Sequence, residues 1–398
     1  MKRQFRIIVG MLLLAIPLCM NAQVKPTKPE KEQPKPKVEK VEKERPKKPE
    51  KPEKPEPKGG FEMPKISGFV QGMYQANLDD KGILKEGDDV STFRMRRVRM
   101  SVEGKLSQKV SYKIQGDFVN SPMLVDGFIK YKACDAFAVQ VGQFKTPFTL
   151  ESPINPVNLE IFDYGEIIQK LSGYSDVCGV GGLGRDIGVM ATGNLFPIGN
   201  EDHKFPLINY SIGVFNGNGP VNFKKNEKGL DNNNRKDIVG RLEVHPGLKN
   251  LTLSGSYYYG KYYKDVENNG VRNRWSVGAQ YNDGNLVLRG EYVNGETGYI
   301  RDYETEPLPS IYNSNGYYAL AGYNFRIGKE KSQTLMPVFR YEHFTKDDSI
   351  LNGGTNWYTA GINYWPLKSV NFKLDYSLIQ KESGNNSHRV VGILSYKF

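Results

Sequence analysis

The sequence predicts an all-β protein: a 16-stranded antiparallel transmembrane β-barrel with an inserted third extracellular loop. Three observations carry that expectation. Over residues 61–398 short segments alternate apolar and polar side chains with a period of two, their number is even, and the connections between them alternate long and short. Composition agrees, since 42 glycines, 24 tyrosines and 12% aromatics suit strands and turns. Mean hydropathy is −0.55, and no run of about 18 apolar residues follows residue 20, so no membrane-spanning helix is available.

In chain order, Lys2, Arg3 and Arg6 precede an apolar run from Ile7 to Leu18, and Asn21-Ala22-Gln23 offers a cleavage site. Residues 1–22 are therefore expected to be a signal peptide. Pro17-Leu18 before Cys19 is a poor match to a lipidation site. Cys134 and Cys178 then remain, too few for a fold that relies on disulfides, and they fall at opposite ends of the expected barrel, too far apart to bridge.

Residues 23–60 are expected to be a disordered periplasmic tether rich in Pro, Lys and Glu. The stretch 25–58 holds nine prolines, no aromatics and two valines, which cannot bury enough apolar surface to fold. As polyproline II at about 3.1 Å per residue it would extend roughly 100 Å, as a solvated spacer or as an arm reaching peptidoglycan or another periplasmic partner. Residues 23–58 carry 13 Lys/Arg against 8 Glu, and the signal adds three more cations. Of the net charge of +11, residues 59–398 keep 39 Lys/Arg against 36 Asp/Glu. That balance leaves no basic patch of the kind a nucleic-acid partner requires.

Sixteen strands are expected near 66–78, 93–104, 109–119, 124–132, 136–144, 185–195, 207–216, 237–245, 250–263, 272–282, 285–294, 316–327, 334–344, 356–365, 370–381 and 388–398. Connections after odd-numbered strands include 79–92, 145–184, 217–236, 295–315 and 345–355, whereas LSQK, CDA, HPGLK, DG, GKEKSQ and PLKS follow even-numbered ones. This sorting is that of an up-and-down barrel with long extracellular loops and short periplasmic turns. Two connections depart from it: a short one after the third segment and a rather long turn at 196–206.

The faces give the same answer. Phe372, Leu374, Tyr376 and Leu378 alternate with Asn371, Lys373, Asp375 and Ser377, and Trp275, Val277 and Ala279 alternate with Arg274, Ser276 and Gly278. A basic side chain facing lipid at mid-membrane costs about 2–4 kcal/mol, so the charged rows face a watery lumen. The densest row is FRMRRVRMSVEG, residues 93–104, with four arginines in six residues. Arg94 and Arg96 are out of phase with Arg97 and Arg99. Either a bulge between Arg96 and Arg97 turns both rows inward, or Arg94 and Arg96 sit at the outer headgroup level against lipid phosphates. The chain closes on Phe398 after Val390, Gly392, Leu394 and Tyr396 at alternate positions, which looks like the terminal signal read by outer-membrane assembly machinery.

The stretches FRMRRVRMSVEGKLSQKVSYKIQGDF, VDGFIKYKACDAFAVQVGQFKTPFTLE and GRDIGV resemble the phosphate-selective porin O and P family of Gram-negative outer membranes. The specific matches cover residues 66–192. The resemblance implies a 16-stranded barrel, usually a homotrimer in outer-membrane lipid and lipopolysaccharide, whose third loop narrows a lumen lined by basic ladders that attract small anions. Carried over by residue, it places Arg96, Arg97 and Arg99 near the narrow zone, Asp126 beside them, and Lys145 at the root of the loop. Lys130, Lys132, Arg241, Arg274 and Arg289 extend the ladder. Arg offers a planar fork suited to oxyanions, Lys a mobile point charge.

The third loop, 145–184, is acidic: Glu151, Glu160, Asp163, Glu166 and Asp176 outnumber Lys145 and Lys170. Such a loop opposite an arginine row suits a general diffusion pore, a reading that stays open beside the anion channel. Within it, LEIFDYGEIIQKLSG is expected to hold a short helix stopped by Gly173. Gly179 to Gly184 fits GxGxxG but precedes a strand, so it reads as a flexible loop end. The four histidines lack metal-ligand spacing and no nucleophile arrangement stands out, so neither a cofactor nor an enzymatic activity is expected. Passive diffusion of small anions such as phosphate is the leading function. An oligosaccharide pore, or a surface protein binding a partner through 217–236 and 295–315, are the alternatives.

Overall fold

In a computed structural model the described residues are 63–84, 90–119, 123–200, 204–220, 235–263, 269–299 and 310–398. The expected signal peptide and tether, and residues 221–234 and 300–309 of the expected loops 217–236 and 295–315, lie outside them. One closed antiparallel sheet contains every strand: β1 (Lys65–Leu78), β2 (Ser91–Lys105), β3 (Val110–Asp117), β4 (Met123–Cys134), β5 (Phe137–Lys145), β6 (Arg185–Ile198), β7 (Phe205–Phe215) and β8 (Asp237–Val244) lead into β9 (Leu251–Tyr263). The second half runs β10 (Asn269–Asn282), β11 (Leu286–Tyr299), β12 (Ser310–Tyr323), β13 (Phe325–Ile327), β14 (Gln333–Thr345), β15 (Gly354–Leu367), β16 (Val370–Lys381) and β17 (Ser387–Lys397). β12 and β13 both pair with β14 and are separated by Asn324 alone, so they form one crossing. The barrel therefore has the sixteen crossings that alternation predicts.

The sheet closes where β1 pairs with β17, from Phe69↔Lys397 to Leu78↔His388. Gly68 extends the seam by exchanging backbone hydrogen bonds with Phe398 at 3.0 and 3.1 Å. A Cβ at Gly68 would stand 2.4 Å from the Arg99 carbonyl oxygen and 2.5 Å from the Phe398 ring, so only glycine fits between β2 and the residue that follows β17.

Burial is inverted relative to a soluble sandwich. Arg274 and Asp375 are 1% exposed, whereas their strand neighbours Trp275 and Leu374 are 41% and 58% exposed. Charged side chains face inward and apolar ones outward, as a barrel in lipid requires. The interior also holds an apolar cluster, in which Phe148, Leu159, Ile161, Ile167, Ile168 and Leu171 of the segment after β5 pack with Val239, Val293, Tyr318, Leu320, Val338 and Phe344 of the strands. Burial of those side chains holds the segment against the barrel wall. The expected helix is present as α1 (Glu166–Leu171), ending ahead of Gly173, and a 3-10 turn at Pro156–Asn158 precedes it. No helix among the described residues is long and apolar enough to cross a membrane.

Candidate functional site

The arginine strand owes its geometry to one extra residue. In the β1–β2 ladder Gln71 faces Arg97 and Gly72 faces Met95, which leaves Arg96 unpaired in a bulge. The bulge resolves the phase conflict, because it turns Arg96 and Arg97 to the same carboxylate. Arg97 Nη2 donates to Asp163 Oδ1 at 2.9 Å, and Arg96 Nη2 donates to Asp163 Oδ2. Arg97 also donates to Gln71 at 3.2 Å, and the Arg96 guanidinium lies 5.9 Å from the Phe162 ring centroid. Arg94, which could have met lipid headgroups, instead faces Met73 across the ladder and donates to Gln75 at 3.0 Å. Arg99 is bound by a neighbouring strand, with Nε 2.8 Å from Asp117.

Other strands repeat the pattern against the same segment. Arg274 of β10 donates to Asp176 Oδ1 at 2.6 Å and to the Leu171 carbonyl at 2.5 Å, and Arg272 reaches Asp176 at 3.2 Å. Arg289 of β11 grips Glu160 with two bonds of 2.9 Å. Arg340 of β14 holds Glu151 at 2.5 Å and Glu342 at 3.1 Å. Lys373 of β16 donates to the Ile161 carbonyl at 2.8 Å, and Asn363 of β15 to the Glu160 carbonyl at 2.7 Å. Each contact is a charge-assisted or buried hydrogen bond in a place where an unpaired partner would be costly. The segment 146–184 is thereby bonded to β2, β10, β11, β14, β15 and β16.

Burial opposes ionisation of Asp163, yet the Arg96 and Arg97 guanidiniums outweigh it and hold its carboxyl below the ordinary range. At Asp176 burial is likewise overcome by Arg274 and Arg272, and at Glu160 by Arg289. These three carboxylates stay charged wherever ordinary ones do.

Of the ten residues expected at the site, Arg96, Arg97, Lys145, Arg241, Arg274 and Arg289 converge on this segment. Lys145 Nζ donates to the Ser152 and Ile154 carbonyls and to the Tyr164 hydroxyl, at 2.5, 2.8 and 2.7 Å, so the ammonium is consumed in shaping the loop root. Arg241 donates to the Thr149 carbonyl at 3.0 Å. Asp126 is taken by Arg185, at 2.6 Å from its Nε. Lys130 is half-buried on β4 and makes no ion pair among the described residues, and Lys132 is exposed and pairs with turn residue Asp135 at 2.6 Å. Sequence reasoning passed over Arg272 and Arg340. The alternation of Val338, Arg340, Glu342 and Phe344 against Phe339, Tyr341 and His343 carried the signal for Arg340, and Arg272 shares its parity with Arg274.

A family model described as phosphate-selective porin O and P matches residues 70–395. The chain belongs to that family. It is accordingly an outer-membrane channel for passive diffusion. Solved structures agree on the fold: the outer membrane channel DcaP of Acinetobacter baumannii is 14% identical, with a TM-score of 0.58 over 86% of this chain and 98% of that one. OmpF of Salmonella typhi, solved in complex with daunomycin, is 13% identical with a TM-score of 0.58 over 84% and 97%. OmpT of Vibrio cholerae, in its in-vitro folded trimer form, is 11% identical with a TM-score of 0.53 over 84% and 99%. No curated protein matches the chain.

Proposed function

We propose that this porin prefers small anions such as phosphate, and that the preference is set on the wall formed by β17, β1 and β2. The observation that carries this reading is a local imbalance: Arg96 and Arg97 share one carboxylate, Asp163. Beside them, and among the described residues, Arg94 donates to the neutral Gln75, and Arg389 lies over the Phe162 and Trp357 rings with its Nε lacking a hydrogen bond. Several other inward arginines each have a carboxylate of their own, as in Arg99–Asp117, Arg185–Asp126 and Arg289–Glu160. An anion entering the lumen meets excess positive charge on that one wall, where guanidinium forks offer paired donors to an oxyanion. Lys145, Arg241, Arg274 and Arg289 serve this passage indirectly, by fixing the segment 146–184 that narrows it.

Recording in planar bilayers under a KCl gradient tests the reading. The reversal potential is expected on the chloride side, and added phosphate is expected to reduce chloride current, less so in Arg94→Gln and Arg389→Gln. A cation-selective reversal potential overturns the anion preference in favour of general diffusion across the field between Asp163 and the arginines, and sugar-driven liposome swelling would then identify an oligosaccharide pore. A purified barrel without conductance would point to a surface interaction protein.

The same reading places the apolar outer wall against lipid and lipopolysaccharide, residues 23–60 in the periplasm within reach of peptidoglycan, and the barrel in a homotrimer, a state named for the OmpT form above. Native mass spectrometry of detergent-solubilised protein decides the last point; a monomer mass alone would refute it.

A further inference from the structure

Among the described residues, charge is distributed unequally between the two ends of the barrel. The chain enters β1 at Lys65 and leaves β17 at Lys397 on the end that carries the short turns. On that end Lys109, Lys249, Lys329, Lys331 and Lys368 are exposed, and none of them forms an ion pair among the described residues. Among the described acids there, Asp135 pairs with Lys132, Asp283 accepts backbone N–H groups from Asn285 and Leu286, and Glu330 stands exposed between Lys329 and Lys331, so the lysines outnumber the acids left without an ion pair. A cavity of about 570 Å³ opens at this mouth, lined by Arg326, Lys331, Lys368, Trp365, Ser332 and Thr334 among others, with three cations and no carboxylate. At the opposite end Asp79, Asp80, Asp347, Asp348 and Glu382 accompany Lys81, Lys346 and Lys381.

We propose that the short-turn end is a docking face for peptidoglycan, with stem-peptide carboxylates meeting the lysine rim and the Arg326–Lys331–Lys368 cavity seating a terminal carboxylate beside Trp365. The inference rests on the outer-membrane orientation proposed above, which turns this end toward the cell wall. Charge complementarity selects the partner, because the wall presents closely spaced carboxylates on flexible peptides, and unpaired lysines on turns meet them without breaking any bond of the barrel.

The test is co-sedimentation of the full chain in detergent with isolated sacculi at low and high salt. Wild type is expected to pellet at about 50 mM NaCl and to be released at about 500 mM, as screened charge contacts are. The full-chain variant Lys109→Gln/Lys249→Gln/Lys329→Gln/Lys331→Gln/Lys368→Gln is expected to bind at least tenfold less, and the matching Lys→Arg variant to retain binding. Sacculi with amidated carboxylates are expected to lose wild-type binding. Equal sedimentation of the glutamine variant overturns the proposal and leaves the tether as the contact. Equal binding of wild type and loss in the variant on phosphatidylglycerol vesicles, without binding to sacculi, overturns it and assigns the face to lipid headgroups. Conductance measured on the same preparations separates failure here from failure of the channel reading.

Discussion

Gly165 passes so close to Arg340 that a Cβ built on it would stand 1.9 Å from the guanidinium Nη2 and 2.3 Å from the Glu342 carboxylate. The N-terminus of α1 thus reaches the strand wall at the one residue without a side chain. Gly165→Ala is expected to push either Arg340 or α1 out of place, at a cost of about 1–3 kcal/mol typical of overpacking. Limited proteolysis is the check: cleavage within 146–184 increases in the variant while the barrel remains heat-modifiable on gels. Unchanged protease resistance would show that the contact relaxes freely.

Among the described residues, Asp163 is the one carboxylate bonded to Arg96 and Arg97. Asp163→Asn keeps the shape and removes the charge, which leaves both guanidiniums free to attract anions. The chloride-to-potassium permeability ratio is expected to rise severalfold in bilayer recordings, and a fall would place the arginines outside the conducting path.

Removing a cation instead exposes a buried carboxylate. Arg274→Gln leaves Asp176, which is 6% exposed, with Arg272 as its remaining ion pair. Breaking such a buried pair costs about 3–5 kcal/mol. The unfolding transition of the segment, followed by hydrogen exchange of its amides, is expected at lower denaturant than in wild type, with the strand amides little changed.

Acid is expected to loosen the same contacts late. The folded values of Asp163, Asp176 and Glu160 lie below their ordinary ones, so their ionised forms stabilise the bonded segment at all pH above the ordinary carboxylate range. That stabilisation is lost as pH falls from about 4 through the lowered values. Pepsin is expected to leave residues 146–184 intact near pH 4.5 and to cut them near pH 2. Cleavage already at the higher pH would show that the ion pairs do not hold the segment.

Cys178 reports whether the segment ever leaves. Burial, and then the neighbouring Asp176 carboxylate, push its thiol up to about 12, and Arg274 Nη2 lies 3.1 Å from its sulfur. A free thiol held this way reacts poorly. Maleimide labelling of the native protein at neutral pH is expected to be negligible at Cys178 and complete after denaturation.

The sequence by itself determined the barrel, its sixteen crossings and the face each strand turns to lipid. Those features follow from a two-residue period that every strand carries locally, and from the penalty for placing Arg274 or Arg289 against hydrocarbon. It also located an acidic segment after β5 and a helix ahead of Gly173. Only the tertiary structure decided which charges meet. Arg340 and Glu151 are 189 residues apart in the chain and bond because the apolar side chains of 146–184 pack against inward-facing residues of distant strands. No local pattern encodes such a partner: the sequence places Lys145 at the root of the loop, and only the path of the segment brings the Ser152 and Ile154 carbonyls to its ammonium. The bulge at Arg96 was legible only as an alternative, since period two fixes parity within a strand and the register against β1 decides where it breaks. Tertiary register, by placing Arg96 beside Arg97, joined both to Asp163.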